Sequence, residues 1–323
     1  MENNLSLISE KLIEKNNYII VGHSIPDGDC IGSMIGLYLV LLKMNKKSIM
    51  LLEDPVPPIY HFLFGSNMIL KPQDISKNDF ENIIYLDCSD KNRVGESVAD
   101  FLNDKRYIIN IDHHATNELF GNINLVNPEA SATAEIITNL IPLLNVDITK
   151  DIANALFTGI VMDTGSFQYS NTTSETLKIA SYLIDSGVEQ EKVRINLFES
   201  KSHKEVLLLR KSLQSLKVSS DGKIAWMQLS IDDIKELDVK DLHPEGIINH
   251  TRSIKGVEVG ILFRETSPGI VKVGFRSKSA IDVAQIAKKF GGGGHEKAAG
   301  ARLEGRLDDV KSKVLNSVKE VID

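Results

Sequence analysis

Cysteine is nearly absent: Cys30 and Cys88 are the only two in 323 residues, so no disulfide framework can staple the chain, and a reducing cytoplasm is the expected setting. Long apolar runs are missing too. The longest unbroken stretch of apolar residues and glycine, Met34 to Leu42, is far short of the roughly 20 residues a membrane span needs. Met1-Glu2-Asn3-Asn4 has neither the basic start nor the apolar core of a signal peptide. Basic charge is in deficit, with a net of −7, which argues against a surface coated for long duplexes. No internal repeat or low-complexity tract interrupts the chain. With 42% hydrophobic and 25% charged residues it reads as an ordinary soluble globular protein, long enough for two domains with their own cores.

Charge is unevenly distributed. Residues 1–205 hold 17 Lys and Arg against 28 Asp and Glu, a net of −11; residues 206–323 hold 20 against 16, a net of +4. An acidic half joined to a mildly basic half suits metal binding in one and anion binding in the other, although solvated charge alone produces such asymmetry as well.

Leu5, Ile8, Leu12 and Ile13 recur at helical spacing, which predicts an amphipathic helix over 4–16. Tyr18-Ile19-Ile20-Val21 then reads as a buried strand, and His23, Asp27 and Asp29 follow within a few positions. Gly28, between the two acids, is expected to let the backbone turn so that they point at neighbouring sites. A helix is predicted from about Asp29 to Met44. Its Gly32, Ser33 and Gly36 favour close packing on the sheet, or free N–H groups for an anion. Further strands are expected at 48–52, 83–86 and 107–111, with helices over 131–144 and 149–161. Strands alternating with helices predict an α/β protein with a parallel sheet.

Three of these strands end in acid or imidazole: His23-Asp27-Asp29, Asp87-Cys88-Ser89-Asp90 and Asp112-His113-His114. The helix ending at Met162-Asp163 offers a fourth source. Parallel strands place their carboxyl ends along one edge, so these groups can converge although they lie far apart in the chain. His23, Asp27, Asp29, Asp87, Asp112, His113 and Asp163 are too many donors for one cation, and uncompensated carboxylates so close would repel. Two divalent ions about 3.5–4 Å apart, sharing a carboxylate, would resolve that, and a nitrogen-plus-oxygen donor set suits Mn²⁺.

The later chain is helical from about Thr172 to Gly187 and from Glu189 to about Leu216, with the polar stretch Ser200 to Glu205 as candidate linker. A second αβ region starts near Lys223, with strands near 256–264 and 270–276 and a helix from Asp282 to Phe290. Gly-Gly-Gly-Gly-His-Glu-Lys-Ala-Ala-Gly follows at 291–300. Four glycines in a row cost backbone entropy, and their expected use is a loop that wraps a ligand and lines up N–H groups as an anion nest.

Taken together, H-S-I-P-D-G-D, D-C-S-D, D-H-H and M-D-T-G-S-F resemble the DHH phosphoesterase superfamily. V-G-F-R-S-K, D-V-A-Q-I-A and G-G-G-G-H-E-K-A-A-G resemble the DHH-associated C-terminal domain of one branch. The likeness spans nearly the whole chain and is nearest to the oligoribonuclease/pAp phosphatase (NrnA-type) branch. It implies a DHH catalytic domain over 1–188, a helical linker over 189–216 and a smaller α/β substrate domain with the Gly-rich loop over 217–323, with a cleft between the domains. It also implies two Mn²⁺ ions, with Mg²⁺ or Co²⁺ as substitutes. One would take His23, Asp27 and Asp87, the other Asp29, Asp87, His113 and Asp163, with Asp87 bridging. Asp112 would orient the adjacent imidazoles, and His114 would face the substrate phosphate. Arg276, Ser277, Gly292, Gly293, Gly294 and His295 would hold a terminal phosphate or nucleotide. Arg252 and Arg264 are either further phosphate contacts or surface ion pairs. Cys30 and Cys88 read as small buried hydrophobes rather than ligands; His61, His203, His243 and His250 match no motif.

The implied activity is hydrolysis of very short RNA to mononucleotides and of the 3′-phosphate of 3′-phosphoadenosine 5′-phosphate (pAp). The alternatives are hydrolysis of linear or cyclic dinucleotides (pApA, pGpG, c-di-AMP), or a non-catalytic nucleotide sensor on the same fold. The expected partners are short RNA and small nucleotides, with no membrane; a homodimer is left open.

Overall fold

The amphipathic N-terminal run folds as helix α1 (Glu2–Glu14) and leads into strand β1 (Tyr18–Val21), every residue of which is buried. The computed structural model describes residues 2–75, 80–102, 106–239, 246–278 and 280–322. The side chains of Glu2, Asn3 and His295 lie outside that description, as does the whole of His243. Two units divide between Ser200 and Lys201.

In the first unit the chain continues through α2 (Gly28–Lys43), β2 (Ser48–Leu51), β3 (Ile69–Leu70), β4 (Asn82–Leu86) and α3 (Glu96–Phe101). It then runs through β5 (Tyr107–Asp112), β6 (Ile123–Val126), α4 (Thr133–Leu140), α5 (Lys150–Asp163), α6 (Ser174–Asp185) and α7 (Gln190–Phe198). The strands form one sheet in the order β3-β2-β1-β4-β5-β6, and every pairing is parallel. Side chains alternate across it. Ile20, Ile84 and Ile109 join the core under α2, α4 and α5, whereas Ile19, Val21, Ile83 and Tyr85 join the core under α3. A sheet covered on both faces calls for strands apolar throughout, as these are.

The order reverses between β1 and β4. The chain winds from β1 outward through β2 to β3, then returns to β1's other side, where Tyr18 pairs with both Ser48 and Asn82. Connections leaving β1 and β4 therefore diverge, opening a crevice at their carboxyl ends. Open α/β sheets bind ligands at such a point.

Glycines bring α2 and α5 together. A β-carbon on Gly32 would lie 2.3 Å from the carbonyl oxygen of Ala155, and one on Gly36 would lie 2.5 Å from Leu156 Cδ2. The close packing expected against the sheet is found instead against the helix α5. Gly28 differs from expectation. It is the first residue of α2 and has no left-handed backbone; it is required because a β-carbon there would lie 2.3 Å from Met162 Cγ. The turn before α2 is instead made by Ile25, at φ 55°, whose N–H donates to Asp54 Oδ2 at 2.7 Å.

The second unit comprises α8 (His203–Gln214), β7 (Lys217–Val218), β8 (Ile224–Leu229), α9 (Ile231–Glu236), α10 (Asn249–Arg252), β9 (Val259–Ser267) and β10 (Ile270–Ser277). It closes with α11 (Val283–Lys288), β11 (Gly293–His295), β12 (Ala298–Glu304) and α12 (Leu307–Ile322). Its six strands run β11-β12-β10-β9-β8-β7, parallel at β8–β9 and antiparallel elsewhere. Val310, Val314 and Val318 of α12 and Val283, Ile286 and Ala287 of α11 cover one face over Phe263, Val273 and Phe275. On the other face Leu208 of α8 and Ile247 and Ile248, beside α10, pack on Met227, Leu229 and Leu262. The segment expected as one helical linker, 189–216, holds α7 of the first unit and α8 of the second.

The Gly-rich segment is a hairpin rather than an open loop. Gly293 pairs with Gly300 and His295 with Ala298. Two of its glycines answer to steric demand: a β-carbon on Gly292 would lie 2.1 Å from the carbonyl of Gly300, and one on Gly294 2.5 Å from that of Ala298.

Candidate functional site

The polar groups expected to converge do so at the switch point. Among the described residues, three sets place their ligand atoms within 4.8 Å of one another: His23, Asp27 and Asp87; Asp29, His113 and Asp163; and Asp87, His113 and His114. Asp27 is the N-cap of α2, its Oδ1 accepting from the N–H groups of Asp29 (3.0 Å) and Cys30 (3.1 Å). Asp163 is the last residue of α5. Asp87 follows β4 in the left-handed region, φ 58°, an uncommon backbone for any residue but glycine.

Asp87 faces both halves of the cluster. Its Oδ2 lies 3.4 Å from Nε2 of His23, and its Oδ1 lies 3.6 Å from Nε2 of His113. Nε2 of His23 is also 3.6 Å from Asp27 Oδ1, and Nε2 of His113 is 3.4 Å from Asp163 Oδ2. The other ring nitrogens meet backbone carbonyls, His23 Nδ1 at Ser24 O (2.9 Å) and His113 Nδ1 at Ala130 O (3.3 Å). Carbonyls only accept, so the network assigns a proton to each Nδ1. In the neutral rings each Nε2 then turns a lone pair toward anionic oxygens. That contact needs a proton or a cation between its partners.

The electrostatics carry the same message. Burial, with the charge of Asp87 added, pushes the Asp29 carboxyl up to about 7. Burial also lifts Asp163 well above the usual carboxylate range. His113 is desolvated, yet Asp163 and Asp87 outweigh that and raise it to about 9. Asp87, although buried, is held well below the usual range by its bond to His23 and by the nearby imidazoles. Without a metal the cluster must retain protons, and divalent cations would replace them. Two histidine nitrogens with several carboxylate oxygens, pre-aimed by carbonyls, fit such ions.

Asp112 is fully buried and orients one imidazole, not two. Its Oδ1 accepts from His114 Nδ1 at 2.7 Å and from the backbone N–H groups of His113 (2.8 Å) and His114 (3.2 Å). The ring of His113 is aimed by Ala130 instead. Burial works against charge on His114, but the Asp112 bond outweighs it and raises the ring's pKa. Cys30 and Cys88 are buried, and burial pushes both thiols far up, so neither is a thiolate.

Several supporting residues went unread in the sequence. Asn117 Nδ2 donates to Asp112 Oδ2 (2.7 Å) and to Cys88 O (3.0 Å). Asn171 Nδ2 donates to the carbonyls of Asp163 (3.1 Å) and Ser131 (3.0 Å). Thr133 reaches both Asp29 and Asp87. Asn, Thr and Ser in turns have no spacing that marks them, and only the D-H-H neighbourhood of Asn117 offered a local hint.

In the second unit, register gathers the expected anion-binding residues on one face. Along β10, Lys272, Gly274 and Arg276 alternate onto the same side. Their cross-strand partners are Arg264, Leu262 and Gly260 on β9 and Arg302, Gly300 and Ala298 on β12, and Gly293 lies beside Gly300. Arg252 ends α10, and its backbone nitrogen would stand 3.1 Å from a β-carbon on Gly260, the partner of Arg276. Ser277 falls on the opposite face at 1% exposure, so the structure does not bring its side chain to this group. For His295 only the strand position, opposite Ala298, is described.

A crevice at a topological switch point, lined by histidine and aspartate in overlapping sets that could hold metal, is the geometry of a metal-dependent hydrolase of α/β fold. Residues 17–160 match the DHH family N-terminal domain, and residues 228–323 match the DHHA1 domain. The chain belongs to the DHH family, in the branch that joins those two domains. It is similar to the bifunctional oligoribonuclease and PAP phosphatase NrnA of Thermus thermophilus, 36% identical over 98% of this chain and 94% of that one. The Bacillus subtilis protein of the same name is 27% identical over 88% of each chain. A crystal structure of an exopolyphosphatase-related protein from Bacteroides fragilis superposes with a TM-score of 0.93 at 26% identity, covering 99% of this chain and 96% of that one. No helix among the described residues is long and apolar enough to cross a membrane.

Proposed function

We propose that the protein hydrolyses phosphodiester bonds in very short oligoribonucleotides, releasing mononucleotides, and removes the 3′-phosphate of pAp, with two Mn²⁺ ions as cofactors. The observation that carries this reading is the carboxylate of Asp87, whose two oxygens face the histidines of two different donor sets. The name of the Thermus relative, at 36% identity over nearly the full length, supports the substrates. His23, Asp27 and Asp87 would hold one ion; Asp29, Asp87, His113 and Asp163 the other. Bound there, divalent ions acidify water and offset charge on phosphoryl oxygens.

The chain's own groups do the rest. Asp112 holds His114 by Nδ1 and favours the imidazolium, so the second ring proton sits on Nε2. That proton goes to the leaving oxygen as water adds to phosphorus; the water gives up one of its own protons to solvent, from which the ring is reprotonated. Asn117 keeps Asp112 in place during the transfer. In the second unit, Arg276, Arg264, the Gly293–Gly294 backbone and His295 would bind a further phosphate. Arginine suits this by its planar fork, and glycine by leaving the N–H groups uncovered.

The test is product analysis with labelled RNA dimers to pentamers, pAp, pApA, pGpG and c-di-AMP, in Mn²⁺, Mg²⁺ or chelator. Mononucleotides from the short RNAs, and AMP with inorganic phosphate from pAp, are expected with Mn²⁺ and not with chelator. Turnover of c-di-AMP or the linear dinucleotides far above the others would replace this reading. Nucleotide binding with no metal-dependent turnover would make the protein a sensor.

A further inference from the structure

Thr133 opens α4, is completely buried, and touches two carboxylates, one from the first turn of α2 and one that directly follows β4. Its backbone N–H donates to Asp29 Oδ2 at 2.6 Å, and its hydroxyl donates to Asp87 Oδ1 at 3.1 Å. The next N–H, of Ala134, donates to Asp29 Oδ1 at 2.9 Å. The N-cap of α4 is Ala132, which has no side chain able to accept these bonds. Asp29, about a hundred positions earlier, therefore caps the helix in its place, which satisfies donors that would otherwise be buried and orphaned.

Other buried hydroxyls also meet carboxylates, Ser33 at Asp29 and Thr176 at Glu135, but three other threonines use theirs differently. Thr138, Thr158 and Thr164 each return theirs to the carbonyl four residues back, at 2.6–2.7 Å, the usual fate of threonine in a helix. At the first helical position no such carbonyl of the same helix exists. A β-branched side chain has few rotamers, so the hydroxyl is held where it points, at Asp87.

We infer that Thr133 is a positioning residue that sets the spacing and orientation of Asp29 and Asp87 for divalent-metal binding. One residue uses its two donors to tie a carboxylate in the first turn of α2 to one that follows β4. Each bond occupies one lone pair and leaves others on the same oxygens for the ions. Losing the hydroxyl removes the hydroxyl donor to Asp87 Oδ1 while the backbone bond to Asp29 remains, so the effect falls on Asp87.

This inference rests on the metal reading above, and the test separates the two. Mn²⁺ is titrated into the full chain, stripped of metal, with free Mn²⁺ followed by electron paramagnetic resonance and heat by calorimetry. Thr133→Val keeps the shape and loses the donor; it is expected to weaken Mn²⁺ affinity by about 10- to 100-fold. Thr133→Ser restores the donor and is expected to recover most of that loss. Thr158→Val removes an equally buried hydroxyl bonded to a helix carbonyl and is expected to leave affinity unchanged. Equal binding by wild type and Thr133→Val would overturn the positioning role alone, as would a loss in Thr133→Val matched by Thr158→Val. No binding by the wild type would overturn both readings.

Discussion

Gly159 of α5 lies so close to Asp29 that a β-carbon on the glycine would stand 2.9 Å from the Asp29 carboxylate oxygen and 3.3 Å from its α-carbon. The same atom would stand 2.8 Å from Ala134 Cβ, beside the N–H that donates to Asp29. Gly159→Ala would thus push on a proposed metal ligand and on the start of the helix it caps. Overpacking costs about 1–3 kcal/mol, and better helix propensity returns about 1 kcal/mol. A net stability loss on the order of 1 kcal/mol by denaturant titration is expected, with Mn²⁺ affinity lowered by about tenfold or more. Unchanged affinity would mean that Asp29 does not bind metal.

The metal-free site should make stability fall as pH rises. Asp29 is raised to about 7 by burial, so folding favours its protonated form, and that contribution disappears as pH climbs from the ordinary carboxylate range through 7. His113 is raised to about 9 by Asp163 and Asp87 against its desolvation; its contribution is complete below the ordinary imidazole range and is lost through 9. Both have the same sign. The gap in Tm between Mn²⁺-loaded and chelated protein is expected to widen from pH 5 to pH 9. A gap that narrowed over that range would contradict the shared-proton account.

Removing the proton donor should spare metal binding. His114→Ala is expected to lower kcat by about 10²- to 10⁴-fold. Asn117→Ala, which acts through Asp112, should give a smaller loss in the same direction. Both are read by steady-state kinetics on pAp, with bound manganese measured in parallel. A His114→Ala protein that lost its manganese would make the ring a ligand instead, as its presence in one of the donor sets allows.

The second unit should govern substrate affinity rather than chemistry. A hydrogen bond to a charged group contributes about 1.5–3 kcal/mol, so Arg276→Ala is expected to raise KM for pAp by roughly 10- to 100-fold with little change in kcat. Ser277→Ala, on the buried face, is expected to leave KM unchanged. Should Ser277→Ala raise KM as much as Arg276→Ala, the assignment of faces would be wrong.

How much of this was readable in advance depended on the range of each cause. β1, β4 and β5 are apolar throughout and end abruptly in aspartate or histidine, so both the parallel sheet and its polar edge can be read locally. Their convergence follows from parallel geometry alone. The roles of Thr133, Ala130 and Gly159 cannot be read that way: Thr133 and Gly159 meet Asp29 of α2 from more than a hundred positions away, and Ala130 meets His113 across a turn and the whole of β6. Gly28 shows the converse error. A glycine between two aspartates invites a turn explanation, whereas its neighbour is Met162, on another helix. The four glycines likewise suggested an anion nest, and pairing with β12 accounts for two of them.

The left-handed backbone of Asp87 limits how the site can be dissected. Aspartate and asparagine tolerate that conformation through local hydrogen bonds, whereas alanine pays for it with roughly 1 kcal/mol of strain. An alanine variant at this position would confound a missing ligand with a strained turn, and a weak or poorly folded protein would be uninterpretable. Asp87→Asn isolates the charge, and Asp87→Gly removes ligand and strain together. Comparing the two measures how much conformational tension this chain tolerates to hold one carboxylate at the centre of its crevice.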